Sequence, residues 1–269
     1  MGAVFIFINK NQKILNKIKF IILRIGGMVM SYQHIYGPVN SRRLGLSLGV
    51  DLLGAKICSF NCVYCERGRT DQLTLERKEY TAVKEVTTEL SNFLAAEPEL
   101  NYISFSGCGE PLLHKDFGRI SAYLQENFPQ YKQALLTNSS LITEEIIAEL
   151  KYLDLIIPSL DAVSETAFKK INRPHKKIKI DEIIPNLVKV KKELKAEMWL
   201  EIFLLPGIND HKEELELFKK AVQKIKADKI QLNSLDRPGA ETWVEKMSRA
   251  KLEEIADFLG GNVEIVAGY

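Results

Sequence analysis

Residues 58–65 read Cys58-Ser59-Phe60-Asn61-Cys62-Val63-Tyr64-Cys65, three thiols spaced C-x₃-C-x₂-C. Thiols this close cannot close useful disulfides with one another. They can wrap a compact metal centre, because thiolates are soft ligands that suit iron–sulfur clusters and zinc. Three nearby ligands leave one iron of a four-iron cluster without a local protein ligand. An open metal position is where chemistry happens, whereas a closed one is usually structural. The spacing alone leaves two other readings standing: a zinc site, and a cluster closed by Cys108 as fourth ligand.

The neighbouring residues narrow the choice. Tyr64, just before the third cysteine, is aromatic, and further along comes Ser106-Gly107-Cys108-Gly109-Glu110-Pro111. Together these stretches resemble the radical S-adenosylmethionine (SAM) superfamily. Its members hold a [4Fe–4S] cluster with C-x₃-C-x-aromatic-C and carry a glycine-rich, Glu-ending segment on the next strand. The resemblance covers the chain from about Tyr36 onward. It implies that Cys58, Cys62 and Cys65 are the metal ligands. It also implies that Gly107, Gly109 and Glu110 bind the methionyl amino group of SAM. Glycines allow close backbone approach, and a carboxylate can pair with an ammonium; the competing reading is an ordinary Gly-Pro turn.

The remaining composition agrees with a soluble globular protein. The chain has 269 residues, 46% hydrophobic and 27% charged, with a net charge of +2. A near-neutral balance gives no global drive toward nucleic acid or membrane. The four cysteines, Cys58, Cys62, Cys65 and Cys108, form no paired framework, which points to a reducing, cytoplasmic setting and a metal role. Residues 1–29 differ from the rest. Their short apolar runs are broken by Lys10, Lys13, Lys17, Lys19 and Arg24, so none approaches the ~20 residues of a membrane span. Gly26-Gly27 would be encoded GGN-GGN, which can embed a purine-rich ribosome-binding site just upstream of Met30. Residues 1–29 are therefore expected to be a non-native or poorly ordered extension, and 30–269 the working domain.

Downstream of a non-periodic lead-in at Tyr36–Gly45, strands and helices alternate. Strands are expected at 46–52, 102–105, 133–136, 155–160, 199–205, 229–232 and 263–266. Helices are expected at 81–96, 116–127, 143–152, 181–194, 213–225 and 248–259, with Thr143, Asp181 and Ser248 as caps. Repeated strand–helix units imply a parallel sheet with right-handed crossovers. A doubly wound sheet and a barrel both satisfy that pattern. The family resemblance implies a single α/β domain forming a partial, open TIM-like (β/α)₆ barrel, its site at the C-terminal strand ends.

Further candidates recur just after strands. Asn138, in Thr137-Asn138-Ser139, resembles a SAM-contacting position. Ser159 and Asp161 fit a ribose contact, where hydroxyls need donors and acceptors; an Asp-initiated turn is the plain alternative. Leu205, opening Leu205-Pro206-Gly207-Ile208-Asn209-Asp210, resembles the adenine-side segment, and Tyr64 completes the cofactor set. Asp236-Arg237-Pro238 sits where substrate contacts are expected. Of the four histidines only His114 lies near a motif. Lys169 to Lys195 carries ten Lys or Arg against three acids; such a run can follow a phosphate backbone, and more often it is a solvated helix face.

The expectation is a radical SAM enzyme of oxidoreductase or transferase type, most like the stand-alone oxidoreductases related to tRNA wyosine-synthesis enzymes. It would take an electron from a low-potential flavodoxin- or ferredoxin-type donor. RNA is one candidate substrate; small molecules and peptides are others. The competing class is a Cys₄ zinc or electron-transfer protein closed by Cys108.

Overall fold

Alternation of apolar residues along each strand, with helices between, produces a sheet with two different faces. The computed structural model describes residues 31–268 and, ahead of them, strands β1 (Val4–Phe7), β2 (Ile21–Ile25) and the start of β3 (Met28–Ser31). These three strands pair antiparallel in a sheet of their own. The main chain of elements continues as β4 (Ile35–Ser41), β5 (Gly45–Val50), β6 (Ile57–Cys58), β7 (Gln72–Leu73) and α1 (Val83–Leu94). Then follow β8 (Tyr102–Phe105), α2 (Phe117–Asn127), β9 (Gln133–Thr137), α3 (Glu144–Glu149), β10 (Leu155–Pro158), α4 (Glu165–Ile171) and α5 (Ile180–Glu193). The chain ends with β11 (Glu197–Phe203), α6 (Lys212–Ile225), β12 (Lys229–Asn233), α7 (Arg249–Leu259) and β13 (Val263–Ile265).

The main sheet has the order β13-β12-β11-β10-β9-β8-β5-β4. From β5 to β13 all its pairings are parallel; β4 alone joins antiparallel, at the edge. The first and last strands do not pair with each other, so the barrel is open, as expected from the family. The stretch read as a non-periodic lead-in is in fact β4. Its register against β5 shifts between Tyr36 and Val39, and an edge strand tolerates the proline that hid it. The cap reading was right for Thr143 and Ser248, whose hydroxyls accept from Ile146 N and Lys251 N. Asp181 lies instead in the first turn of α5, with Lys179 at the cap position.

Residues on opposite faces of the strands enter different clusters. Ile103, Phe105, Leu135, Ile156, Met198, Leu200, Ile202, Ile230 and Leu232 pack with the helices in the large core. Ala134, Leu155 and Ile157 face the other way, with Leu136, Trp199 and Leu44. Strand alternation therefore puts Ser106, Asn138, Glu201, Phe203 and Asn233 on the inner, lumen face. Each parallel strand ends on the same rim, and the loops leaving that rim carry the site.

Candidate functional site

The cysteine loop leaves β6 and is fastened along its length by the backbone. Asn61 N donates to Asn172 O at 2.9 Å, Val63 N to Ile171 O at 2.9 Å, and His175 N to Ser59 O at 2.9 Å. The strap after β12 adds a second clamp: Glu241 N donates to Val63 O at 3.0 Å, and the Glu241 carboxylate pairs with Arg69 at 3.0 Å and Arg173 at 2.6 Å. The loop closes on itself where Cys65 N reaches Cys62 O. Cys58 is buried, and Cys62 and Cys65 are half-buried.

Nitrogen donors surround these thiols. Asn138 Nδ2 lies 3.4 Å from Cys58 Sγ, and Asn172 Nδ2 lies 3.4 Å from Cys62 Sγ. Lys56, two residues ahead of Cys58, is buried. Burial pushes the Cys58 and Cys62 thiols up from their ordinary value. Among the described residues no three His, Cys, Asp or Glu side chains are placed to hold a single metal ion. The soft thiolate set, with an amide N–H beside Cys58 and another beside Cys62, fits an iron–sulfur cluster.

The second-strand segment packs directly on the cysteine strand. Glu110 N donates to Ile57 O at 3.1 Å, and a Cβ on Gly109 would collide with that same carbonyl. Glycine is required there by close approach. The Glu110 carboxylate is 2% exposed. It accepts from Leu112 N at 3.1 Å, Thr137 Oγ1 at 2.8 Å and Asn138 N at 2.7 Å. Burial raises its pKa to about 7. Both oxygens are thus committed to protein donors, which changes the sequence-based picture of a free partner for an ammonium. Glu110 caps the turn at Pro111 and ties the second strand end to the third.

Asn138 is oriented by Ser140, whose N and Oγ donate to its Oδ1 at 3.0 and 2.7 Å. Asp161 is buried beside the loop. Its carboxylate accepts from Tyr64 OH, from Asn172 Nδ2 at 2.7 Å and from Phe203 N at 3.1 Å, and burial lifts its pKa to about 6. Tyr64 stacks on Phe203 with centroids 3.8 Å apart. Ser159 lies on the neighbouring strand end, bridged to Glu201. Leu205 lines a cavity of about 330 Å³ with Pro206, Gly207, Ile208 and Trp243. The structure therefore gathers Tyr64, Asn138 and Asp161 tightly around the cysteines, with Ser159 beside them and Leu205 on a separate wall.

Cys108 is held differently. Its Sγ accepts from Arg67 Nη2 at 2.8 Å, and its N donates to Asp51 Oδ2 at 3.1 Å. His114, the histidine nearest a motif, is fully buried. Its Nε2 meets Thr81 O and its Nδ1 accepts from Asp116 N, so it is a satisfied core residue. In the basic run, Lys169, Arg173, Lys189 and Lys191 pair with Glu165, Glu241, Glu144 and Asp228, which suits a solvated helix face.

Sequence reading missed Lys56 and Asn172, and it gave Tyr36, Arg43 and Glu201 no role. The Tyr36 ring lies across Gly49, where a Cβ would strike it, and its hydroxyl meets Ser106 Oγ at 2.6 Å. Arg43 pairs with Glu201, which also accepts from Asn233 Nδ2 at 3.0 Å. The Gly at 49 opposite a tyrosine and the paired arginines Arg42-Arg43 were the available signals.

The family description "Radical SAM superfamily" matches residues 53–219. The chain is 31% identical over 235 residues to a UPF0026 protein of Methanocaldococcus jannaschii, covering 86% of this chain and 71% of that one. A UPF0026 protein of Synechocystis sp. is 32% identical over 213 residues, with 78% of each chain covered. A Brachyspira hyodysenteriae protein named GTPase Obg is 36% identical over 234 residues, covering 87% of this chain and 34% of that protein; the chain thus spans about a third of that relative. Among solved structures, a radical SAM methyltransferase from Sphaerobacter thermophilus has a TM-score of 0.62 at 16% identity, covering 92% and 69% of the two chains. TYW1 with a lysine-pyruvate adduct bound gives 0.58 at 16% identity, covering 79% and 72%. At that identity the likeness establishes the fold. The chain belongs to the radical SAM superfamily and, within it, to the UPF0026 proteins. It is a radical SAM enzyme whose cofactors are a [4Fe–4S] cluster and SAM. Among the described residues no helix is long and apolar enough to cross a membrane.

Proposed function

We propose that Cys58, Cys62 and Cys65 hold the cluster and leave one iron open to the amino and carboxylate groups of SAM. The observation that carries this reading is the division among the four cysteines. Three share one clamped loop, with amide donors on Cys58 and Cys62, while Cys108 is engaged by Arg67 and Asp51. Once loaded, the cofactor pair supplies reductive cleavage of SAM to a 5′-deoxyadenosyl radical that abstracts hydrogen from a substrate.

The protein's own part is to bind, orient and exclude water. Gly107 and Gly109 let the backbone approach the methionyl end, and Glu110 shapes that turn through its three donors. Asn138 lies between this turn and Cys58. Ser159 offers a hydroxyl to the ribose, Asp161 orients Tyr64 beside it, Tyr64 closes the site against Phe203, and Leu205 gives an apolar wall to adenine. The Arg43–Glu201–Asn233 group on the lumen face favours a substrate with polar groups. The electron comes from a flavodoxin- or ferredoxin-type donor in the cytoplasm, where thiols stay reduced. Residues 30–269 form the working unit. Anaerobic reconstitution tests the reading: it predicts about one [4Fe–4S] cluster per chain and 5′-deoxyadenosine on reduction with SAM. No product from fully loaded protein, across several reductants, would contradict it.

A further inference from the structure

Asp236-Arg237-Pro238, expected from sequence at a substrate contact, opens a loop that runs from Ser234 to Met247. The ends of this loop meet where Met247 N donates to Ser234 Oγ at 2.8 Å. Compact loops tied at the base hold their own shape and are frequently functional. Asp236 and Arg237 are engaged by the protein itself, with Arg42 at 2.7 Å and Glu66 at 3.3 Å respectively. The loop then crosses the turn between the second and third cysteines. A Cβ on Gly239 would lie 2.9 Å from Tyr64 Cα and 3.0 Å from its carbonyl carbon. Only glycine permits so close a crossing.

Glu241 stands at the end of that crossing and grips the cysteine loop at three points. Its N–H donates to Val63 O at 3.0 Å, in the middle of the Cys62–Cys65 turn. Its carboxylate takes Arg69, just past the last cysteine, at 3.0 Å. It also takes Arg173 at 2.6 Å, and Arg173 belongs to the segment that receives the amide of Asn61. Arg173 has a φ of 43°, a backbone conformation that non-glycine residues seldom take and that the surroundings must hold. The Glu241 side chain is only 11% exposed. One carboxylate thus joins the outgoing end of the cysteine loop to the segment on which the loop is docked.

We infer that Glu241 is a positioning residue for the cofactor site: it holds the Cys62–Cys65 turn closed, so that a cluster on Cys58, Cys62 and Cys65 is retained. A multidentate group is lost when its loop opens locally, and opening is governed by the few contacts that pin that loop rather than by global stability. The pins here are largely ionic, and Arg69 is 70% exposed, so salt screens them. The inference rests on the cysteine assignment proposed above.

The test is the rate at which full-length, anaerobically reconstituted protein loses iron to excess EDTA, followed by decay of the cluster's visible absorbance at low and high salt. Glu241→Gln should lose iron roughly five- to thirtyfold faster at low salt, as expected for two ion pairs removed together. Wild type should speed up with added salt, and Glu241→Gln should gain little more. Glu241→Asp, which keeps the charge, should lose iron more slowly than Glu241→Gln. Asp228→Asn breaks the Lys191 pair at the start of β12, on the opposite rim, and should lose iron at the wild-type rate. A wild-type rate in Glu241→Gln would overturn the inference. Asp228→Asn as fast as Glu241→Gln would make the effect a general loss of stability and overturn it too. Should Glu241→Gln take up no cluster, Arg69→Gln decides, because it removes one pair only; faster loss supports the inference, and a wild-type rate overturns it. Failure of the cysteine assignment shows separately, as wild-type protein that takes up no [4Fe–4S] cluster.

Discussion

The loop cysteines and Cys108 are the same chemical group on the same barrel rim, in different company. Cys58, Cys62 and Cys65 sit in a loop pinned to residues 171–175 and 241, with amide nitrogens on Cys58 and Cys62. Cys108 sits in the glycine-rich turn, with its sulfur on Arg67 and its amide on Asp51. A thiol's role is set by which neighbours reach it and by what holds its backbone still. The motif spacing identifies the loop, and the surrounding partners separate the fourth cysteine from it.

The largest expected effect breaks the comparison from the loop side. Single Cys58→Ser, Cys62→Ser or Cys65→Ser substitutions should abolish stable cluster assembly and SAM cleavage together, read as iron content and 5′-deoxyadenosine. One variant that keeps both would remove that cysteine from the ligand set.

A middle-sized effect falls on the turn between the two regions. Glu110→Gln removes one of the two acceptor oxygens that serve three donors. A buried donor left unsatisfied costs about 1–3 kcal/mol. Expressed in SAM binding, that is roughly a five- to hundredfold loss of affinity, with the cluster retained. Because the donors are internal, the cofactor-free protein should also lose thermal stability. A direct ion pair with the SAM ammonium predicts weaker SAM binding alone, so calorimetry without SAM separates the two roles.

How far the sequence could go differs between these regions. The alternating elements were legible because strand and helix periods are strong from Leu46 to Val266. Strand β4 was hidden by Gly37 and Pro38, since an edge strand owes its existence to pairing with β5 rather than to local pattern. The three proposed ligands and Asp161 were named from spacing and place. Lys56 and Asn172 did not: one is a lone lysine ahead of the motif, the other a helix-end asparagine that the fold carries to Cys62 from 110 residues away. Sequence could also not tell whether the Glu110 carboxylate faces a ligand or its own backbone. Its position ahead of Pro111 was the clue, because proline favours the first helical position behind a capping residue.

The smallest expected effect is the sharpest, and it concerns Cys108. Anaerobically reconstituted Cys108→Ser should be compared with wild type for iron per chain and for 5′-deoxyadenosine formed on reduction with SAM. A three-thiolate cluster with one open iron predicts the same iron content and the same SAM cleavage in both. Loss of the cluster as complete as in Cys58→Ser would mean four thiolates close the site, and would contradict the open-iron account.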